Sequence, residues 1–117
     1  MGLSTHVLDT MHGTPAAGMA VELYSVEGGE AKLVKRFVLN DDGRNPDGPL
    51  YDNASLKKGK YRLTFDVAGY FRARGVQLPD PPFLDRVSLD FGIAETSQHY
   101  HVPLLASPWS YSTYRGS

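Results

Sequence analysis

Cysteine is absent from all 117 residues. That excludes a disulfide framework, a thiol nucleophile and a thiolate metal site, and the fold needs no oxidising compartment. Long apolar runs are also missing: no stretch approaches the ~20 apolar residues of a membrane helix. The opening MGLSTHVLDTMHG has neither a basic start nor an apolar run of signal length. The expectation is therefore a cytoplasmic protein with no membrane partner. Charge of one sign is not in excess either. Twelve basic and 13 acidic residues leave a formal net charge of -1. No run of Lys and Arg forms the footprint that nucleic acid requires. Carboxylate pairs and Gly-rich phosphate loops do not stand out in any segment.

Enough apolar material is present for one core. Hydrophobic residues make up 41% of the chain, and 117 residues is a common size for one domain, here 1–117. Most of the chain reads with period two. STHVLD, MAVELYSV, KLVKRFVLN, KYRLTFDV, RVSLDFGI and HYHVPLLA alternate outward and inward positions. They are rich in Val, Leu, Tyr, Phe and Thr, which suit a pleated, half-buried surface. Turn signals separate them: Gly13 to Gly18, Gly28-Gly29, NDDGRNPDGP, Lys58-Gly59 and PDPP. Short strands punctuated this regularly predict an all-β sandwich or barrel. One stretch, AGYFRARG, reads as a single short helix.

Alternation decides which side chains can meet. In HYHVPLL, His99 and His101 share one face, about two strand rises (~6.6 Å) apart, while Tyr100 and Val102 take the other. In LSTHVLD, His6 shares a face with Ser4 and Leu8. Three of the four histidines thus lie on strands and can face a common site. The fourth, His12, falls in a turn and is expected to be simply solvated. Taken alone, Arg44 in the Asp-Asp-Gly-Arg turn is a loop arginine, and the terminal YRGS is an end that would fray. Trp109 and the tyrosines near it read as core or interface aromatics.

The order of these segments is more specific than any one of them. LSTHVLDT with GTPAAGMAVELY, then DDGR, then HYHVPLLASPWSYSTYRGS, resembles the transthyretin-like family, and within it the 5-hydroxyisourate hydrolases. The terminal YRGS separates those hydrolases from the hormone-carrying transthyretins. The resemblance implies a sandwich of two four-stranded sheets with one short helix. It implies a homotetramer built as a dimer of dimers, with each site shared by two subunits in the cleft between dimers. It also implies a substrate, 5-hydroxyisourate, opened at a lactam bond to 2-oxo-4-hydroxy-4-carboxy-5-ureidoimidazoline in urate breakdown. No cofactor and no metal is implied.

Such a reaction needs a base to activate water, donors for the developing oxyanion, and groups that hold the ring. Histidine suits the first task, since it changes charge near working pH. Arginine suits a planar, oxygen-rich ring through its rigid fork of donors. Carried over by motif, the site residues are His6, Arg44, His99, His101 and Ser117, with Tyr114 binding substrate alongside His6 and Arg44. His6 and His101 are expected to activate water and shuttle protons, and His99 to orient them. Two other readings stand beside this one. His6, His99 and His101 could form a three-histidine zinc site, because His-x-His is a ligand spacing found on strands. Alternatively, the chain could carry a ligand as the transthyretins do.

Overall fold

The period-two segments become strands in the computed structural model, which describes residues 2–52 and 54–116. The described elements are β1 (Leu3–Asp9), β2 (Thr14–Pro15), β3 (Ala20–Glu27), β4 (Glu30–Val38), β5 (Gly59–Asp66), α1 (Val67–Ala73), β6 (Arg86–Ile93), β7 (Tyr100–Ala106) and β8 (Tyr111–Thr113). They form two four-stranded sheets, in the orders β2-β1-β7-β8 and β4-β3-β5-β6. The sandwich with one short helix is as the sequence implies.

β1, β3 and β6 bury alternate residues. On β3, Val21 and Leu23 are buried, while the alternating Glu22 and Tyr24 are only partly covered. The core interleaves Leu3, Val7 and Leu104 of one sheet with Val21, Leu23, Leu63 and Phe65 of the other. The helix begins where Asp66 ends β5 and turns its carboxylate back onto the Gly69 N–H at 3.1 Å. A Cβ on Gly69 would lie 2.3 Å from that carboxylate, so a larger residue there would push the cap aside. The helix then buries Val67, Ala68, Tyr70 and Phe71.

Two strands escape the alternation reading. β2 has only two residues and lies inside the segment read as a turn. β8 has three, all exposed, in the stretch that follows Trp109. Trp109 itself is 59% exposed and stacks on Phe83, so it is not a core residue of the single chain.

The sheet carrying β1 has one parallel pair. β7 runs beside β1 with Ser4 opposite His101 and His6 opposite Pro103. The other edge of β1 is covered piecewise. β2 pairs with Leu8 and Asp9, the Val7 N–H donates to the Gly43 carbonyl at 3.0 Å, and the Leu3 N–H donates to the Tyr51 carbonyl at 3.0 Å. This edge covering brings a distant loop to the middle of β1.

Candidate active site

The outer face of β1 and β7 carries the site. β1 buries Leu3, Thr5, Val7 and Asp9 and leaves Ser4, His6 and Leu8 on that outer face. On β7, His101 and Leu105 are the half-exposed positions. His99 stands just before β7, yet the strand spacing holds: the His99 and His101 rings are 6.5 Å apart and nearly parallel, at 12°.

Ser4 lies between these two rings. Its Oγ is 2.8 Å from His101 Nδ1 and 3.3 Å from His99 Nε2. The remaining His99 nitrogen, Nδ1, is buried and has no hydrogen-bond partner among the described residues.

Arg44 reaches the site through a tight turn. The Asn40 side-chain carbonyl accepts from the N–H groups of Asp42 (2.9 Å) and Arg44 (3.1 Å). The Arg44 carbonyl in turn accepts from the Asn40 N–H at 2.9 Å. Gly43 has φ +73°, and a Cβ there would sit 2.5 Å from the Val7 carbonyl oxygen. Only glycine lets this turn press against β1. Arg44 is therefore held beside His6, the neighbour of Val7.

The electrostatics confirm the grouping. Burial lowers the His6 pKa below the ordinary histidine value, and the Arg44 charge lowers it further. The Asp42 backbone and carboxylate oppose this. Burial also lowers the His101 pKa, followed by Arg44, His6 and His99, against the Ser4 backbone. Four cationic or potentially cationic groups thus crowd one face, with no carboxylate hydrogen-bonded to these rings among the described residues, and His6 and His101 are biased towards the neutral form. A neutral imidazole beside a fixed guanidinium is a base next to an anion holder.

The tail docks on this cluster. The Gly116 N–H donates to the His101 carbonyl at 2.7 Å, and the His101 N–H donates back to the Gly116 carbonyl at 3.3 Å. A Cβ on Gly116 would come within 3.0 Å of His101 Cδ2, so the ring lies flat against this glycine. The Arg115 guanidinium donates to Gln98 Oε1 (3.0 Å) and the His99 carbonyl (3.2 Å) and covers the Tyr100 ring at 4.3 Å. Thr113 Oγ1 donates to the Pro103 carbonyl at 2.7 Å.

Of the residues assigned from sequence, His6, Arg44, His99 and His101 come together. Tyr114 does not join them within one chain. It is 61% exposed and lines a separate cleft of about 360 Å³ with Leu89, Phe91, Tyr100 and Val102. Ser117 lies outside the described residues. Among the described residues, no group of three His, Cys, Asp or Glu side chains is arranged to hold a metal ion. Ser4, Arg115 and Gly116 hold the site together in ways that alternation does not disclose. Ser4 shares the His6 face by period, but its place between two other histidines depends on the parallel register.

His12 is not simply solvated. Its ring and backbone N–H both bond the buried Asp9 carboxylate, the backbone contact at 3.0 Å. Tyr70 Oη donates to the same carboxylate at 2.7 Å, and an Arg74 nitrogen lies 3.6 Å away. Burial disfavours the Asp9 charge, but the bonds from Tyr70 and His12 outweigh it and lower its pKa. Turn chemistry alone exposes His12. A buried carboxylate three residues earlier draws it in.

Comparison with known proteins gives a consistent picture. Residues 3–116 match the family described as HIUase/Transthyretin. A 5-hydroxyisourate hydrolase of Deinococcus radiodurans is 57% identical over 116 residues, covering 99% of this chain and 96% of that protein. A 5-hydroxyisourate hydrolase of Pseudomonas aeruginosa is 55% identical over 115 residues, covering 98% of this chain and 90% of that protein. Among solved structures, sea bream transthyretin in complex with thyroxine matches with a TM-score of 0.86 at 27% identity, covering 99% of this chain and 95% of that one.

Proposed function

The chain belongs to the HIUase/Transthyretin family, and within it we propose that it is an enzyme that hydrolyses 5-hydroxyisourate. The observation that carries this reading is the meeting of His6, His99, His101 and Arg44 on one sheet face, with His6 and His101 both biased towards the neutral form. That set matches the needs of lactam hydrolysis. Full-length likeness to hydrolases at 55% and 57% identity supports the same substrate.

In the reaction, a neutral histidine takes one proton from water as the water oxygen bonds to the lactam carbonyl carbon. The carbonyl π pair moves onto its oxygen, where Arg44 meets the charge. Collapse of this intermediate breaks the carbon–nitrogen bond. The leaving ring nitrogen receives a proton from an imidazolium, and the carbonyl carbon becomes a carboxylic acid that ionises. No metal or cofactor is required by any of these steps. Ser117 and Tyr114 remain assigned on the motif alone, Ser117 as a hydrogen-bonding member of the catalytic set and Tyr114 as a substrate contact.

The working unit is a homotetramer in the cytoplasm, each subunit a single domain of residues 1–117. The edge strands β6 and β8 end the two sheets, and the stacked pair Phe83 and Trp109 is 68% and 59% exposed. Open edges and exposed aromatics suit burial against further copies. Among the described residues, no helix is long and apolar enough to cross a membrane.

Fresh 5-hydroxyisourate, made in place by urate oxidation, should lose its near-ultraviolet absorbance faster when the protein is added. The acceleration should scale with protein concentration and survive a chelator. Tight binding of a hydrophobic ligand with no acceleration would instead favour a carrier.

A further inference from the structure

Ser4 has no role in the assignments above, yet it is the only group bonded to both His99 and His101 among the described residues. A hydroxyl has one proton to donate and can accept from a second group. Its two ring contacts therefore constrain each other. If His99 Nε2 carries a proton and donates to Ser4 Oγ, the Ser4 proton is free for His101 Nδ1. If the order is reversed, His99 must carry its proton on Nδ1.

The surroundings of His99 decide between these orders. Among the described residues, His99 Nδ1 is buried without a partner. An N–H in that position would be an orphaned buried donor, which folded proteins rarely tolerate, whereas a bare ring nitrogen only forgoes an acceptor contact. The favoured chain is thus His99 Nε2–H to Ser4 Oγ, then Ser4 O–H to His101 Nδ1. The shorter distance, 2.8 Å, is the O–H···N contact, and the longer, 3.3 Å, is the N–H···O contact.

We propose that Ser4 is a positioning residue that fixes neutral His101 with its proton on Nε2, so that His101 presents a donor to the substrate and His6 is left as the base. Neutral His6 has the complementary arrangement. The Asp42 backbone favours a proton on the ring nitrogen that faces it, and the other nitrogen stays bare. The groups facing His101 are Arg44, His6, His99 and the Ser4 backbone, and the hydrogen bond that its ring makes among the described residues is that of Nδ1 with Ser4 Oγ. The assignment of roles rests on the hydrolase reading, while the proton positions do not.

The test has a spectroscopic arm and a kinetic arm, both on the full chain. Two-bond ¹H–¹⁵N correlation spectra of the free protein, at a pH where the rings are neutral, report which nitrogen of each ring bears the proton. Wild type should show His99 and His101 both as Nε2–H. Ser4→Ala should populate both tautomers at His101, and Ser4→Thr, which restores the hydroxyl, should return the wild-type pattern. With 5-hydroxyisourate, Ser4→Ala should lower kcat about tenfold to a hundredfold with KM nearly unchanged, and Ser4→Thr should recover most of it. His101 with its proton on Nδ1 in wild type would overturn the proposal. So would a Ser4→Ala variant with unchanged ring spectra or unchanged kcat. If wild type fails to hydrolyse the substrate at all, the hydrolase reading fails, and the spectra still decide the proton chain.

Discussion

The middle of β1 and the turn that follows it use histidine in opposite ways. At the first, His6 faces outward towards Arg44, His99 and His101, and among the described residues no carboxylate is hydrogen-bonded to these rings. At the other, His12 is tied to the buried carboxylate of Asp9, itself held by Tyr70 and approached by Arg74. The first region lowers the pKa of His6 and His101 by burial and like charge. The second lowers the pKa of its acid by hydrogen bonding. Crowding cations on a half-exposed face biases His6 and His101 towards the neutral form, ready to move protons. Closing a carboxylate into a bonded network leaves an anchor between turn and helix. Six positions along the chain, from His6 to His12, separate a reactive surface from a structural lock.

The largest expected effect falls at the reactive end. His6→Ala or His101→Ala should cut kcat by about 10² or more while leaving melting nearly unchanged, because a general acid or base contributes on that scale. An active, well-folded double variant would erase the distinction. Replacing Gly116 by Ala sharpens it at a distance. The new Cβ would press on the His101 ring, so turnover should fall about tenfold through misplacement alone. Steady-state rates on this variant check the tail as a wall of the site.

At the structural end the effect should be on stability. Asp9→Asn keeps the shape but removes the charge that Tyr70 and His12 satisfy, and should lower the unfolding free energy by about 2–3 kcal/mol. Denaturant unfolding measures it, and the folded fraction should retain its turnover. The smallest effect is the response to pH. His6 and His101 take up protons more readily unfolded than folded, so stability should decline as pH falls below the ordinary histidine value. Asp9 favours its charge in the fold, so its contribution is complete above the ordinary carboxylate value and is lost only at lower pH, through its folded pKa. Hydrolysis should persist somewhat below pH ~6.5, since neutral rings survive there. Stability curves with the two pH losses merged into one would contradict this separation.

The long strands were legible because period two marks them: β6 runs over Arg86–Ile93, the whole of the RVSLDFGI segment. β2 and β8 were not, because two or three residues cannot display a period. The site residues were legible by motif order, and their faces by alternation. What alternation cannot supply is the parallel register of β1 on β7, which joins Ser4 to His101 across 97 residues of chain. The role of His12 was hidden for a related reason. Asp9 looks like the polar end of a strand until burial on the inner face forces it to find partners.

The central claim is that the two histidine environments divide the work, and one paired measurement tests it. Hydrolysis of fresh 5-hydroxyisourate and thermal unfolding are recorded on wild type, His101→Ala and His12→Ala. His101→Ala should lose hydrolysis and keep its melting temperature. His12→Ala should melt lower, by an amount corresponding to about 1–2 kcal/mol, and hydrolyse normally while folded. Hydrolysis retained in His101→Ala, or lost in folded His12→Ala, would contradict the account.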